Sequence, residues 1–435
     1  MKDSIKSSPL PTPIDELDIT SDASSFDDVN DPNKPRPNGG SLWQAYVNVV
    51  CIVAGTGVLS LPYSLKQGGW IGILIIFLAW FMSMTSGNIL VKCCYAAGPK
   101  RLSSYKEIGD AAFGPIGGWI IFFFNFIILI GASMLFFVLI GGNLHSLLAG
   151  TSGELTMPLW VIIPGICVAI PFVFIKSMKE ISFTSAIGAL ATFATVLIVL
   201  ISSLQYRPAN PIYHDNVIWP QFPIALSSIA FSFAGNMVYP NIERSMKNPK
   251  QWNKAVYLGL SSCALMYILT AVPGYYIYGT TAQSPIYNNL INRGAQMAAQ
   301  IIITIHVLLA VPILITSLAL DIEGMFNITV ERLGKTGEFL SRAVLRVAIM
   351  VAVCVVAIYV PYFGDLLSLI GSFSNCLLIF TFPVLCYLKL TGIRNKRVHE
   401  LAWYALTVLM GIVGLIFGTM DSIKALIADF QSSGN

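Results

Sequence analysis

Charge is what this sequence lacks. Asp, Glu, Lys and Arg make up 11% of its 435 residues, against 55% hydrophobic ones, where a soluble domain carries about 25% charged residues. That scarcity excludes a water-soluble fold for most of the chain and leaves an all-α integral membrane protein. A net charge of +4 gives no basic surface for nucleic acid, so the expected surroundings are a lipid bilayer and no nucleic acid. Catalytic signatures are missing too. No residues stand at metal-ligand spacing, and no nucleophile is paired with a base in a local motif. The run Gly55-Thr56-Gly57 has no Gly-Lys-Ser/Thr after it to make a phosphate loop. Neither an enzyme nor a resident metal or organic cofactor is expected.

Cysteine is missing from the segments between the apolar runs. Cys51, Cys93, Cys94, Cys167, Cys263, Cys354, Cys376 and Cys386 all lie inside those runs, away from any loop an oxidising compartment would cross-link. They read as small core residues, although Cys93-Cys94 also suits palmitoylation.

Residues 1–38 have few large apolar groups and hold eight acidic and four basic residues among Ser, Pro and Asp. Such a segment cannot bury enough surface to offset its ordering entropy, so a disordered tail is expected. It has no basic stretch followed by an apolar one, so no cleavable signal peptide is expected. From 39 to 428 the chain reads as one transmembrane domain, with 429–435 as a short tail.

Eleven apolar segments follow one another at about 41–64, 70–95, 116–145, 158–175, 181–204, 222–245, 254–278, 298–326, 343–360, 364–388 and 399–420. Most reach the ~20 residues that a helical span needs. Pro361 divides the ninth from the tenth. Threading the chain through a membrane with its N-terminus in the cytosol puts all but four of the 26 Lys and Arg on the cytosolic side. The four are Lys66, Arg207, Arg293 and Lys424. Cytosolic loops are enriched in Lys and Arg, which supports both the number of spans and the orientation. The C-terminus then lies in a lumen or outside the cell. The sequon Asn327-Ile328-Thr329 faces the cytosol and is expected to be unused.

Two of the segments are broken alike. Ala54-Gly55-Thr56-Gly57-Val58-Leu59-Ser60-Leu61-Pro62 interrupts the first, and Phe233-Ala234-Gly235-Asn236-Met237-Val238-Tyr239-Pro240 the sixth. Each has a Gly with a Pro five residues on. Non-helical backbone is tolerated at membrane depth only where it is buried in protein or lines a cavity. A pair of breaks in corresponding places of two halves points to a transporter's binding site. The first and sixth spans enter from opposite sides, so repeat one (about 41–204) and repeat two (about 222–388) are expected to be inverted five-helix copies, with the eleventh helix (about 399–420) peripheral. Gly411, Gly414 and Gly418 on that helix suit close packing, or reflect only how common Gly is in membrane helices.

At the first break, Gly55, Thr56 and Gly57 leave helical geometry cheaply. The half-helix after them points its positive dipole end into the gap. That end suits a carboxylate, and exposed carbonyls suit an ammonium group or a cation. At the second, Ala234, Gly235 and Asn236 offer the same, with an added side-chain amide and with Phe233 as an aromatic gate. The alternative is that both breaks only kink packed helices.

The run Val53–Tyr63 with Gly68-Gly69-Trp70, the run Phe231–Gly235 with Pro240, Met246 and Pro249, and Pro361 with Phe363-Gly364 and Ser368–Ser372 resemble the first, sixth and tenth spans of the amino acid/auxin permease family. That family includes vacuolar and vesicular amino acid transporters, and the likeness covers about 40–420. The resemblance implies the eleven-helix, inverted-repeat fold of sodium-coupled amino acid transporters. It also implies secondary active amino acid transport by alternating access, and a vacuolar, lysosomal or vesicular membrane. Proton coupling is the first expectation, with sodium coupling, or an amino acid sensor signalling through the tail, as alternatives.

Ionisable residues inside spans are rare and costly, so each is a candidate for coupling or gating. His306, midway along the eighth segment with Thr304 nearby, titrates near neutrality, or is a neutral histidine bonded to a neighbouring helix. Glu243, beside Arg244, is a gate ion pair, a proton site or an interfacial residue. Asp321 and Glu323 close the eighth segment, where an acidic residue is common in the family, and Asp365 opens the tenth. Asn125 with Ser133, and Ser368 with Ser372 and Asn375, either complete the pocket or bond helix to helix.

Overall fold

A computed structural model describes residues 31–37, 39–175, 178–206, 208, 211–359 and 363–433. The expected disorder of 1–30 falls outside these residues, as do Pro361 and the side chain of Asp365. Among the described residues there are no β-strands, and one isolated bridge joins Gly40 to Met246.

The chain opens with α1 (Leu42–Val53) and α2 (Gly57–Gly68), then α3 (Ile71–Cys94), α4 (Tyr105–Leu148), α5 (Met157–Phe174) and α6 (Met178–Gln205). Next come α7 (Phe222–Ser232), α8 (Tyr239–Arg244), α9 (Trp252–Tyr278), α10 (Arg293–Met325) and α11 (Val330–Tyr359). The tenth span is α12 (Phe363–Ile370) and α13 (Phe382–Thr391) with π-helical turns Gly371–Asn375 and Leu377–Thr381 between them. The last is α14 (Val398–Val413) and α15 (Thr419–Ser433), joined by the π-helical turn Gly414–Gly418. Among the described residues nine spans are long and apolar enough to cross a membrane, and the bent pair α1–α2 makes a tenth. The short pair α7–α8, counted as one more broken span, is compatible with eleven.

Local chemistry sets the ends. Ser41 accepts from the Gln44 N–H while the Gln44 side chain accepts from the Ser41 N–H, a reciprocal cap that starts α1. Ser104 and Asn292 cap α4 and α10. Gly114, at φ +77°, bends α4 just before Pro115. The bend sets a short helix apart from a membrane-length one, which is why the apolar run begins at 116.

Two boundaries differ from expectation. The ninth span begins before 343, so that Arg342, expected just ahead of the segment, lies with Arg346 within α11, and both are buried. Partners make this tolerable: Arg342 pairs with Glu338 at 2.9 Å and Arg346 with Glu323 at 2.8 Å. The last helix runs on to Ser433, past 420.

α1 packs on α6 and α9, α2 on α7 and α9, and α10 on α6 and α4, so both breaks lie at the centre. The spans at Met157–Phe174, Val330–Tyr359 and Val398–Ala428 are outermost, each only 28% buried. Gly411, Gly414 and Gly418 seat the last span on its neighbours. A Cβ on Gly414 would lie 2.5 Å from Cys376 Sγ, and one on Gly418 would meet Ser227 and Ser372. Seven of the cysteines are buried, and Cys167 is exposed on an outer helix.

Candidate functional site

The two breaks face each other. α1 and α2 are bent by 44° across Ala54–Thr56, and α7 stops at Ser232, six residues short of α8. A Cβ on Gly57 would stand 2.6 Å from Ser232 Cα, so glycine is what lets the two chains touch. Among the described residues, nothing accepts a hydrogen bond from the N–H groups of Gly55, Thr56 and Gly57, or of Gly235, Asn236 and Met237. Unpaired backbone groups buried this way need a partner, and those of the first break sit at the positive end of α2.

A cavity of about 20 Å³ lies against them, room for about one water. Gly55, Thr56 and Gly57 line it from the first break, Phe231, Ala234 and Met237 from the second, and Phe136 and Leu314 from α4 and α10. The site is closed.

The structure does not gather all the expected residues around this space. Gly55, Thr56, Gly57 and Ala234 line it. Phe233 turns away and meets the Tyr267 ring edge-on, centroids 4.9 Å apart. Asn236 donates to Ser86 Oγ at 3.1 Å and lies toward the carbonyls of Leu378 and Ile379, which ties the second break to α3 and the tenth span. Gly235 makes room for the Tyr239 ring, 2.8 Å from where its Cβ would be.

His306 lies behind the first break. Its Nδ1 is 2.8 Å from Gly188 O and 2.9 Å from Thr192 Oγ1. A carbonyl only accepts, so the proton sits on Nδ1 and Nε2 carries a lone pair. That Nε2 is buried and unpartnered, 3.5 Å from where a Gly55 Cβ would be. Asn125 donates to Asp321 at 3.1 Å, Ser133 bonds its own helix, Ser368 meets Ser228 at 2.8 Å, and Asn375 donates to Ala230 O at 2.7 Å. Except for Ser133, these join neighbouring helices.

Sequence reasoning missed Tyr267. Its hydroxyl donates toward Val53 O, at 2.6 Å, and toward Ser232 O, the last carbonyls of α1 and α7. It missed the apolar lining as well: Phe136 and Leu314 carry no local signal that sets them apart from core residues, and Phe231 and Met237 stand in the quoted runs as apolar residues that nothing there singles out.

The end of the molecule holding Arg36, Arg101 and Arg244 is closed by charge. Glu243 is fully buried. It accepts from Arg101 Nη2 at 2.6 Å, Arg36 Nη2 at 3.3 Å and the Tyr95 hydroxyl at 2.6 Å. Arg36 also donates to the carbonyls of Glu243 and Arg244, both at 2.8 Å. The end of the segment expected to be disordered is therefore docked, drawn in by a buried carboxylate. Burial first, then the Glu243 charge, push the Tyr95 hydroxyl up to about 12, so it stays a donor. Burial opposes the charge of Arg101, but Glu243 beside it leaves that guanidinium above its usual value. Glu323 sits apart, held by Arg346, which also donates to Phe172 O at 2.6 Å at the end of α5.

A vestibule of about 870 Å³ opens at this basic end between Lys106, Glu107, Asn241, Arg244, Asp321 and Phe326. About one turn separates it from the cavity along the second break and α8, Met237 to Asn241, and about two along α10, Leu314 to Asp321. Ser317 spans that turn, bonded to Asn241 Nδ2 at 2.9 Å and facing Met237 O at 3.5 Å.

Residues 38–427 match the family of transmembrane amino acid transporter proteins. The chain belongs to that family. Amino acid transporter AVT1J of Arabidopsis thaliana is 27% identical over 95% of this chain and 96% of its own length. AVT1D of the same plant is 27% identical over 92% and 72%. The vesicular inhibitory amino acid transporter of Xenopus tropicalis is 26% identical over 90% and 78%. Among solved structures, a Na⁺-coupled sialic acid symporter in a substrate-bound outward-open state aligns at TM-score 0.56 and 12% identity, over 88% of this chain and 90% of that one. A nucleobase-cation-symport-1 transporter in a closed conformation aligns at 0.56 and 13%, over 90% and 94%. The family and the fold make the chain a multi-pass membrane transporter, not an enzyme.

Proposed function

We propose that the chain moves amino acids across an internal membrane by alternating access, with the proton as coupling ion. The observation that carries the reading is the small buried cavity between two broken helices, lined by unpaired N–H groups at the start of α2. An α-carboxylate satisfies those N–H groups, and the carbonyls of the second break take the α-ammonium. The cavity is too small for an amino acid as it stands, so binding requires the turn around Ser317 and Asn241 to part, joining it to the vestibule.

His306 supports the proton. Its free Nε2 faces the first break, and a proton gained there changes the charge beside the substrate's backbone cradle. The basic end is read as cytosolic on the distribution of Lys and Arg. A vacuolar, lysosomal or vesicular membrane is favoured by the similarity to a vesicular transporter. The test is uptake of amino acids by the purified protein in liposomes. Uptake driven by an imposed pH gradient supports the reading; no amino acid uptake under any gradient contradicts it.

A further inference from the structure

Tyr267 has no part in the scheme above, yet it touches both breaks. Val53 O and Ser232 O are the C-terminal carbonyls of the half-helices α1 and α7, where the helix dipole leaves partial negative charge. In broken-helix transporters such half-helix ends and unwound carbonyls are where a coupling cation is held. Here both converge on one phenol hydroxyl. The ring is fully buried and braced edge-on by Phe233, so the hydroxyl is fixed between them. A hydroxyl has a single proton, and the two carbonyls share it.

We propose that the Tyr267 hydroxyl takes the place of a bound cation, holding the two half-helix ends together so that this gap needs no sodium. Tyr267 is thus a positioning residue, and the inference rests on the transport reading above.

Tyr267→Phe removes the hydroxyl and leaves two buried carbonyls facing one another. The experiment compares thermal unfolding of the purified wild type and Y267F in sodium chloride and in N-methylglucamine chloride of equal ionic strength. The wild type is expected to unfold at the same temperature in both. Y267F is expected to unfold earlier in the organic cation and to regain part of the loss in sodium. In liposomes its flux falls about tenfold or more, as expected for stranded buried acceptors, and sodium partly restores it. Sodium stabilisation of the wild type, or a Y267F protein indifferent to sodium, overturns the proposal. If Y267F cannot be recovered folded, the wild type decides: indifference of its unfolding and flux to sodium supports the proposal, and a response overturns it. The unfolding readout uses no substrate, so it stands or falls separately from amino acid transport.

Discussion

Arg36 and Glu243, 207 residues apart in the chain, meet in a buried ion pair at 3.3 Å. One comes from the segment before the first helix, the other from the half-helix after the second break. Arg101 adds a second guanidinium from the turn after α3. The pair therefore fastens the N-terminal segment across α8, the half-helix that has to move for the vestibule to reach the cavity.

Removing the carboxylate leaves two guanidinium groups buried without their counter-charge. Breaking a buried pair this way costs about 3–5 kcal/mol. Glu243→Gln is expected to lower the unfolding temperature of the purified protein markedly. Arg36→Ala leaves Glu243 its bonds to Arg101 and Tyr95, so a smaller loss is expected. An equal loss in the two variants contradicts the arrangement.

The glycines of the first break differ in what they permit. A Gly57 Cβ runs into backbone, while a Gly55 Cβ finds ordinary contacts at 3.5 Å. Gly57→Ala is expected to destabilise the protein by about 1–3 kcal/mol, the usual cost of overpacking, and to abolish uptake. Gly55→Ala is expected to fold and keep partial uptake, and Gly55→Val to lose it, since the larger side chain fills the space before His306. Normal uptake by Gly57→Ala would show that the close approach of the breaks is not needed.

Between cavity and vestibule, the shorter of the two bonds Ser317 makes is the one it accepts from Asn241. A bond of this kind is worth about 0.5–1.5 kcal/mol, so Ser317→Ala shifts the balance toward the open form by about 2- to 13-fold. A cysteine placed at Leu314 is expected to react faster with a water-soluble maleimide when Ser317→Ala is added. An unchanged rate argues that the barrier lies elsewhere.

Much of this was legible in the sequence, and the reasons are local. Gly55, Gly57, Gly235 and the prolines after them mark the breaks because breaking a membrane helix needs particular residues. The Lys and Arg distribution follows from chain threading, and hence reports orientation. Side-chain direction is not local: Phe233 and Asn236 stand in the second break, but α9 and the tenth span decide which way they point. Tyr267 was illegible because the carbonyls it serves are 214 and 35 residues away. The pairing of Arg346 was not legible either, because its partner Glu323 lies on another helix.

Orientation has an inexpensive check of its own. Asn327 is exposed in the turn after α10, at the same end as the vestibule. With that end in the cytosol it never meets the glycosylation machinery, and digestion with a glycosidase is expected to leave the protein's mobility unchanged. A glycan on Asn327 contradicts the orientation.

The central claim is that the gap between the broken helices carries an amino acid together with a proton. Amino acid uptake into liposomes with independently imposed proton and sodium gradients measures it most directly, for the wild type and for His306→Gln. The account predicts uptake driven by the pH gradient and unaffected by sodium, with His306→Gln retaining substrate exchange but losing accumulation driven by the gradient. Uptake driven by sodium and indifferent to the pH gradient would contradict it.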